Sequence, residues 1–223
     1  MPSTLFLTKA PAHALLMAAQ EASAKITPYS LNSPTFRHRA VMGLFPSFDD
    51  NNPRSHADIL FRLDTPAGQE PYFLIQSAVA PTITGFPEII TKEIALDPPA
   101  PSTPVSFRLS VNAIRRESFT NASGKRTYKV RPVPADHELT EIPTLTPWLA
   151  QKLAPALTDI EITNHRRTVL KDPRQQGRMT LQIDDIDGVA LAGESESLHS
   201  FLATGVGREK AYGCGLLSIR ALA

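Results

Sequence analysis

Residues 97–104 read Asp-Pro-Pro-Ala-Pro-Ser-Thr-Pro, the densest proline cluster in a chain that holds 20 prolines among 223 residues. Proline has no backbone N–H and fixes φ, so neither a helix nor a central strand runs through Pro98, Pro99, Pro101 and Pro104. The stretch reads as a linker between residues 1–100 and residues 101–223.

Outward from that linker, each side repeats one order of elements. In the first half Thr4–Thr8 is a short strand signal and a helix begins at Ser33. Alternating runs at Ala57–Leu63 and Tyr72–Val79 follow, then a strand-like run at Glu88–Leu96. In the second half Val105–Val111 reads as a strand, and Tyr128–Val130 belongs to a candidate one. A helix starts near Thr146-Pro147 with Trp148, Leu149 and Leu153 on one face. Strand runs at Asp159–Thr163 and Met179–Ile183 come next. Leu198, Phe201 and Leu202 then mark a helix by i, i+3, i+4 spacing, and Leu216–Arg220 closes the chain as a strand. The order approximates β-α-β-β-α-β twice, an α+β fold of two tandem ferredoxin-like units, with the second helix of the first half the faintest element. Pro11–Asn32 fits neither half and reads as a helical insertion holding Leu15, Leu16 and Ala19.

With 42% hydrophobic and 20% charged residues, wholesale disorder and fibrous structure are excluded. The one cysteine, Cys214, excludes an internal disulfide framework and a cysteine-based zinc site. No run approaches the roughly 18 apolar residues that cross a bilayer, so a cytoplasmic protein with no membrane partner is expected. The net charge of +1 hides an asymmetry. Residues 108–178 carry 13 Lys+Arg against 7 Asp+Glu, whereas residues 1–107 carry 7 against 9 and residues 179–223 carry 3 against 6. A basic middle suits a polyanion-facing surface, with a merely solvated charged face as the alternative.

Three stretches carry candidate chemistry. The first is the helix after Ser33: Ser33 suits the N-cap, Pro34 the first position and Gly43 the C-terminal stop. Phe36, Ala40 and Leu44 fall at i, i+4, i+8 and face a core. His38 lies about 200° around from Phe36 at 100° per residue, on a face shared with Thr35. An exposed histidine between Arg37 and Arg39 suits an anionic ligand, and imidazole titrates where acid–base chemistry needs it. The second is Gly205-Val206-Gly207-Arg208-Glu209-Lys210-Ala211-Tyr212-Gly213-Cys214-Gly215. It is neither a Walker A loop nor a dinucleotide fingerprint. Backbone amides at Gly205, Gly207, Gly213 and Gly215, with Arg208 and Lys210, form a candidate phosphate cradle; a tight turn is the alternative. The third runs from His165 to Arg178 and holds Arg166, Arg167, Lys171, Arg174 and Arg178 against a single acid. Turn signals at Asp172-Pro173 and Gln176-Gly177 make it a basic hairpin able to track RNA phosphates. Arg115-Arg116 and Lys125-Arg126, with Lys129 and Arg131, add to it.

Other features read as structural. Asp184, Asp185 and Asp187 do not make a metal site, since Asp187-Gly188 is a hairpin-turn signal. Trp148 belongs to the core, Cys214 is a small buried filler and His199 sits on a helix surface.

Three of these stretches resemble the CasE-type CRISPR RNA-processing endoribonucleases of type I-E (Cascade) systems. The glycine-rich end from Gly205 to Ser218 resembles that family's terminal signature. His38-Arg39-Ala40-Val41-Met42-Gly43-Leu44-Phe45-Pro46 resembles its histidine-bearing helix, and Phe107-Arg108-Leu109 with Asn112 the strand that opens its second domain. The resemblance implies tandem ferredoxin-like (RRM-like) domains: residues 1–100 with the histidine helix, residues 101–223 with the basic hairpin and glycine-rich loop. It implies metal-independent cleavage, with no cofactor, on the 3′ side of a CRISPR repeat hairpin, leaving a 2′,3′-cyclic phosphate and a 5′-hydroxyl. Other Cascade subunits are the implied partners, and His38 matches the catalytic histidine. Family members often carry tyrosine three residues before it, where this chain has Thr35; Thr35, a tyrosine elsewhere such as Tyr29, or no residue takes that part. Two other classes are a non-catalytic hairpin RNA-binding subunit and a small-molecule phosphate-binding domain.

Overall fold

The computed structural model describes residues 4–22, 30–46, 57–82, 85–171 and 180–222. The first unit holds β1 (Leu5–Pro11), α1 (Ala12–Ala22), α2 (Pro34–Met42), β2 (Leu60–Asp64), β3 (Tyr72–Ser77) and β4 (Ile90–Ile94). Its strands form an antiparallel sheet in the order β2-β3-β1-β4, with Thr8 opposite Ile75 on one side and Thr91 on the other. α1 and α2 supply Leu15, Phe36 and Ala40, and Leu44 follows just past α2, to a core closed by Ile59, Phe61, Phe73 and Ile75. The Pro11–Asn32 segment thus contributes to this core through α1. Between β3 and β4 the described residues hold no helix, so here the repeat expected from the sequence is incomplete.

The second unit continues with β5 (Pro104–Val111), β6 (Ile114–Thr120), β7 (Arg126–Pro132), α3 (Leu145–Leu153), β8 (Leu157–Lys171), β9 (Thr180–Ala192), α4 (Ser195–Thr204) and β10 (Ser218–Ala221). Its sheet runs β10-β5-β9-β8, the same order as in the first once β6 and β7 are set aside as a separate two-stranded ribbon. Both units are therefore ferredoxin-like in strand order, in tandem. Leu149 and Leu153 of α3, and Leu198 and Leu202 of α4, pack on Phe107, Leu109, Ile186 and Ala190. The proline linker is held to the second sheet: the Ser102 N–H donates to the Ala192 carbonyl at 2.7 Å, and the Ala192 N–H donates to Thr103 at 2.9 Å.

Three local expectations change. Gly43 caps α2 at φ −65° rather than in the left-handed region, because Leu44 and Phe45 continue the turn with bonds to the Val41 and Met42 carbonyls. Asp187-Gly188 is no turn but the middle of β9. A Cβ on Gly188 would stand 2.5 Å from the Phe107 ring and from the Glu161 carbonyl, so close packing selects this glycine. Finally β8 is 15 residues long, so His165–Lys171 is regular strand and not part of a turn. The turn signals at 172–177, together with Arg174 and Arg178, lie outside the described residues, as does Tyr29.

Candidate active site and nucleic-acid interface

α2 is set by its cap: the Ser33 hydroxyl accepts from the Phe36 N–H at 3.2 Å, and Pro34 opens the first turn. Phe36 and Ala40 face the first core, which turns His38 outward, toward the second unit. There the His38 Nδ1–H donates to the Ala211 carbonyl at 3.1 Å. A carbonyl oxygen only accepts, so the neutral ring carries its proton on Nδ1 and its lone pair on Nε2. Tyr212 stands edge-on to the same ring, with centroids 6.2 Å apart. The histidine helix and the glycine-rich loop, read separately in the sequence, therefore meet. Tyr212 is a site residue that sequence reading passed over, although it sits inside a stretch already singled out.

Much of the glycine-rich loop serves to make that meeting possible. Gly205 has φ +74°, and a Cβ there would stand 2.8 Å from Leu60 and 2.9 Å from the Gly215 carbonyl. Gly213 has φ +99°, and a Cβ there would stand 3.2 Å from the Phe61 ring, directly after the short 3-10 turn Lys210–Tyr212 that presents Ala211. The Val206 N–H donates to Gly215 and the Gly215 N–H to Ser110, each at 2.8 Å, while the Lys210 ammonium donates to the Thr204 carbonyl at 2.6 Å. The Gly205 and Gly215 amides are thus bonded to carbonyls of the fold, at Phe201 and Ser110, which corrects the expectation of a continuous phosphate cradle. Gly207 and Arg208 are its exposed part.

Arg62 of β2 ties the two units together. It is 3% exposed, grips Asp64 with two bonds of 2.7 and 3.2 Å, and donates to the Arg108 carbonyl, the Leu216 carbonyl and the Ser218 hydroxyl. Gln76 adds a bond of 2.8 Å to the Leu202 carbonyl. Neither residue was singled out in the sequence, because the partners that join the two units lie 46 to 156 positions away.

The arginines beside His38 differ in kind. Arg39 is exposed, as expected. Arg37 is 7% exposed and donates from Nε to the Leu31 carbonyl at 2.5 Å, which corrects the reading of it as a solvent-facing flank. Burial lowers its pKa to about 10, a fall only partly offset by Asp185. Thr35 is half-buried on the His38 face of α2.

The basic stretch on β8 is also less free than its composition suggests. Arg166 and Arg167 lie directly across the ladder from Asp185 and Asp184. Asp184 is fully buried and accepts from His165, Arg167 and Gln182 at 2.7–2.8 Å. Asp185 accepts from Arg166 and Ser110, and Asp187 from Arg108 and Asn164. The three carboxylates thus answer cations of the fold. Among the described residues, no cluster of three or more His, Cys, Asp or Glu is placed to hold a metal ion.

The β6–β7 ribbon has the opposite character. Arg115 pairs with Glu117, but Arg116, Lys125, Arg126, Lys129 and Arg131 are exposed, and among the described residues only Arg131 of these five reaches an acid, Glu117 at 3.6 Å. Two exposed aromatics are interleaved: the Lys129 ammonium lies 4.9 Å from the Phe119 ring and the Arg126 guanidinium 5.9 Å from Tyr128. Cations over exposed aromatic faces are the chemistry of a single-stranded or backbone-tracking nucleic-acid surface.

Residues 6–221 match the profile of the family described as CRISPR associated protein. The chain belongs to that family. It is similar to the CRISPR system Cascade subunit CasE of Escherichia coli K12, 28% identical over 193 residues that cover 83% of this chain and 90% of the relative. In fold it is similar to Cas6e from the same strain, with a TM-score of 0.66 at 22% identity over 98% of this chain and 100% of the other. It is likewise similar to Thermus thermophilus Cse3 bound to an RNA representing a pre-cleavage complex, with a TM-score of 0.65 at 22% identity over 97% and 99%. In this CRISPR-associated protein no helix among the described residues is long and apolar enough to cross a membrane.

Proposed function

We propose that this protein is a CRISPR RNA-processing endoribonuclease, working with other Cascade subunits in the cytoplasm. We also propose that it divides near residue 100 into the domains read from the sequence. The single observation that carries the catalytic reading is the Nδ1–H bond from His38 to the Ala211 carbonyl. It joins the one histidine of α2 to the loop that resembles the family signature, and it fixes the ring's tautomer.

RNA brings its own nucleophile, the 2′-hydroxyl, so the protein has only to align it and manage protons. With Nδ1–H held by Ala211, proton transfer falls to Nε2: the neutral ring accepts the proton of the 2′-hydroxyl there, whereas a proton reaches the departing 5′ oxygen only from the ring in its imidazolium form. Arg39 at the same helix offers charge to the phosphate as it becomes more negative, the role of a preorganised cation. Thr35 shares the His38 face and takes the place of the family's tyrosine in orienting the substrate. The products are a 2′,3′-cyclic phosphate and a 5′-hydroxyl, and no step calls for a metal ion. The exposed cations of the β6–β7 ribbon, with Arg208 and Gly207, bind the repeat RNA.

Single-turnover cleavage of a repeat hairpin RNA tests this. His38→Ala is expected to bind the RNA about as well as the wild type and to cut it at least about 100-fold more slowly, with EDTA without effect. Undiminished cleavage by His38→Ala would move the active site elsewhere, and loss of cleavage in EDTA would bring in a metal. A wild-type protein that binds the hairpin and never cuts it would be the non-catalytic RNA-binding subunit.

A further inference from the structure

A recess opens beside Gly207 and Arg208 of the glycine-rich loop. Its volume is about 230 Å³, and its walls include Asn112, Arg116, Trp148, Lys152, Gly207 and Arg208. The three cations come from three elements, β6, α3 and the loop, and among the described residues no carboxylate lines the recess. Among the described residues none of the three has an ion-pair partner, in contrast to the arginines of β8. Like charges gathered without a counter-ion repel one another, and a bound anion relieves that repulsion.

Trp148 supplies aromatic surface. It is half-buried, packing on the second core through one part while another forms the recess wall. This alters the sequence reading of Trp148 as core alone. Gly207 leaves the backbone open: a Cβ built there meets nothing nearer than the Lys152 side chain at 3.8 Å. A volume of about 230 Å³, below the roughly 300–1,000 Å³ of drug-sized pockets, suits a single base and excludes a duplex.

The recess is also next to the catalytic histidine's support. It shares Asn112 and Ile114 with a larger groove of about 620 Å³ that includes Glu209. From Gly207 to Ala211 is four residues of chain, at most about 14 Å. A nucleotide in the recess is therefore a near neighbour of the one at His38.

We propose that the recess holds one unpaired nucleotide of the RNA flanking the cleavage site, its base against Trp148 and its phosphate among Arg116, Lys152 and Arg208. The proposal rests on the RNA-processing reading above and adds a single-stranded subsite to it.

The chain's one tryptophan makes the test direct, because emission reports on Trp148 alone. Two labelled RNAs are compared, a repeat hairpin cut flush and the same hairpin with a short unpaired flank, with anisotropy and tryptophan emission read on each sample. The flanked RNA is expected to bind about 10-fold more tightly, the scale of one stacked base, and to quench Trp148. Lys152→Ala should narrow the ratio between the two RNAs and reduce the quenching. Equal affinities with unchanged emission would overturn the subsite while leaving RNA binding intact. A flank that tightens binding without changing emission would place it elsewhere and overturn the subsite too. Failure of both RNAs to bind would remove the subsite and the RNA-processing reading together.

Discussion

β8 and the β6–β7 ribbon are both basic, and they use their charge in opposite ways. On β8, Arg166 and Arg167 face Asp185 and Asp184 across the ladder, with distances of 3.0 and 2.7 Å. On the ribbon, Arg116, Lys125, Arg126 and Lys129 point into solvent with no carboxylate in reach among the described residues. Charge summed along a chain cannot separate these cases. The acids that neutralise β8 follow it in sequence and were counted in a different segment. Strand pairing therefore assigns β8 chiefly to the stability of the second unit and leaves the ribbon as the stronger candidate for RNA.

The largest effect expected from breaking this contrast is at Asp184. Its carboxylate is fully buried under three side-chain donors, so Asp184→Ala strands the Arg167 charge. Removing one partner of a buried pair costs about 3–5 kcal/mol, to be read as a lower denaturant midpoint at unchanged slope. An unmoved midpoint would mean that β8 is not neutralised as described. The reciprocal change is on the ribbon. Replacing Lys125, Arg126, Lys129 and Arg131 together by alanine should leave stability within about 0.5 kcal/mol, as exposed substitutions do. It should instead flatten the salt dependence of RNA binding by up to about 3–4 in the log–log slope, near 0.9 for each lost phosphate contact. An unchanged slope would take the ribbon out of the interface.

What could be read in the sequence follows the same division between local and long-range causes. The proline linker, the cap at Ser33 and the i, i+3, i+4 spacing of Leu198, Phe201 and Leu202 are local signals, and the elements they mark are present. Asp187-Gly188 misled because turn chemistry was overruled by the Phe107 ring, a contact 81 residues away along the chain. His38 was legible as a candidate by its position on α2, but its partner was not. The bond to Ala211 spans 173 residues and depends on Arg62 and Gln76 docking one sheet against the other. Lys152 was hidden for the same reason, and Tyr212, though inside a stretch already singled out, meets His38 only through the same long-range docking.

The smallest effect expected is in acid, and it sharpens the contrast by titration. Asp187 sits beside β8, where Arg108 donates to both carboxylate oxygens at 2.5 and 2.9 Å and Asn164 donates at 3.1 Å. Burial alone would raise its pKa, but the bonds from Arg108 and Asn164, with the charge of Arg108, outweigh that and hold it below the ordinary carboxylate value. A folded-state pKa below the unfolded one, about 3.9, means that ionised Asp187 stabilises the fold at every pH above that value. The contribution fades as pH falls through the lower, folded value. Asp187→Asn should therefore be less stable than the wild type at neutral pH, with the gap constant down to about pH 5 and closing below about pH 4. The ribbon variant without Lys125, Arg126, Lys129 and Arg131 should follow the wild-type acid limb throughout, because its cations hold no buried carboxylate. Denaturation midpoints measured from neutral pH downward distinguish the two. A gap for Asp187→Asn that persists unchanged in acid would mean that the carboxylate's charge, and with it the ion pair of Arg108 on β5 with Asp187 on β9, contributes nothing there.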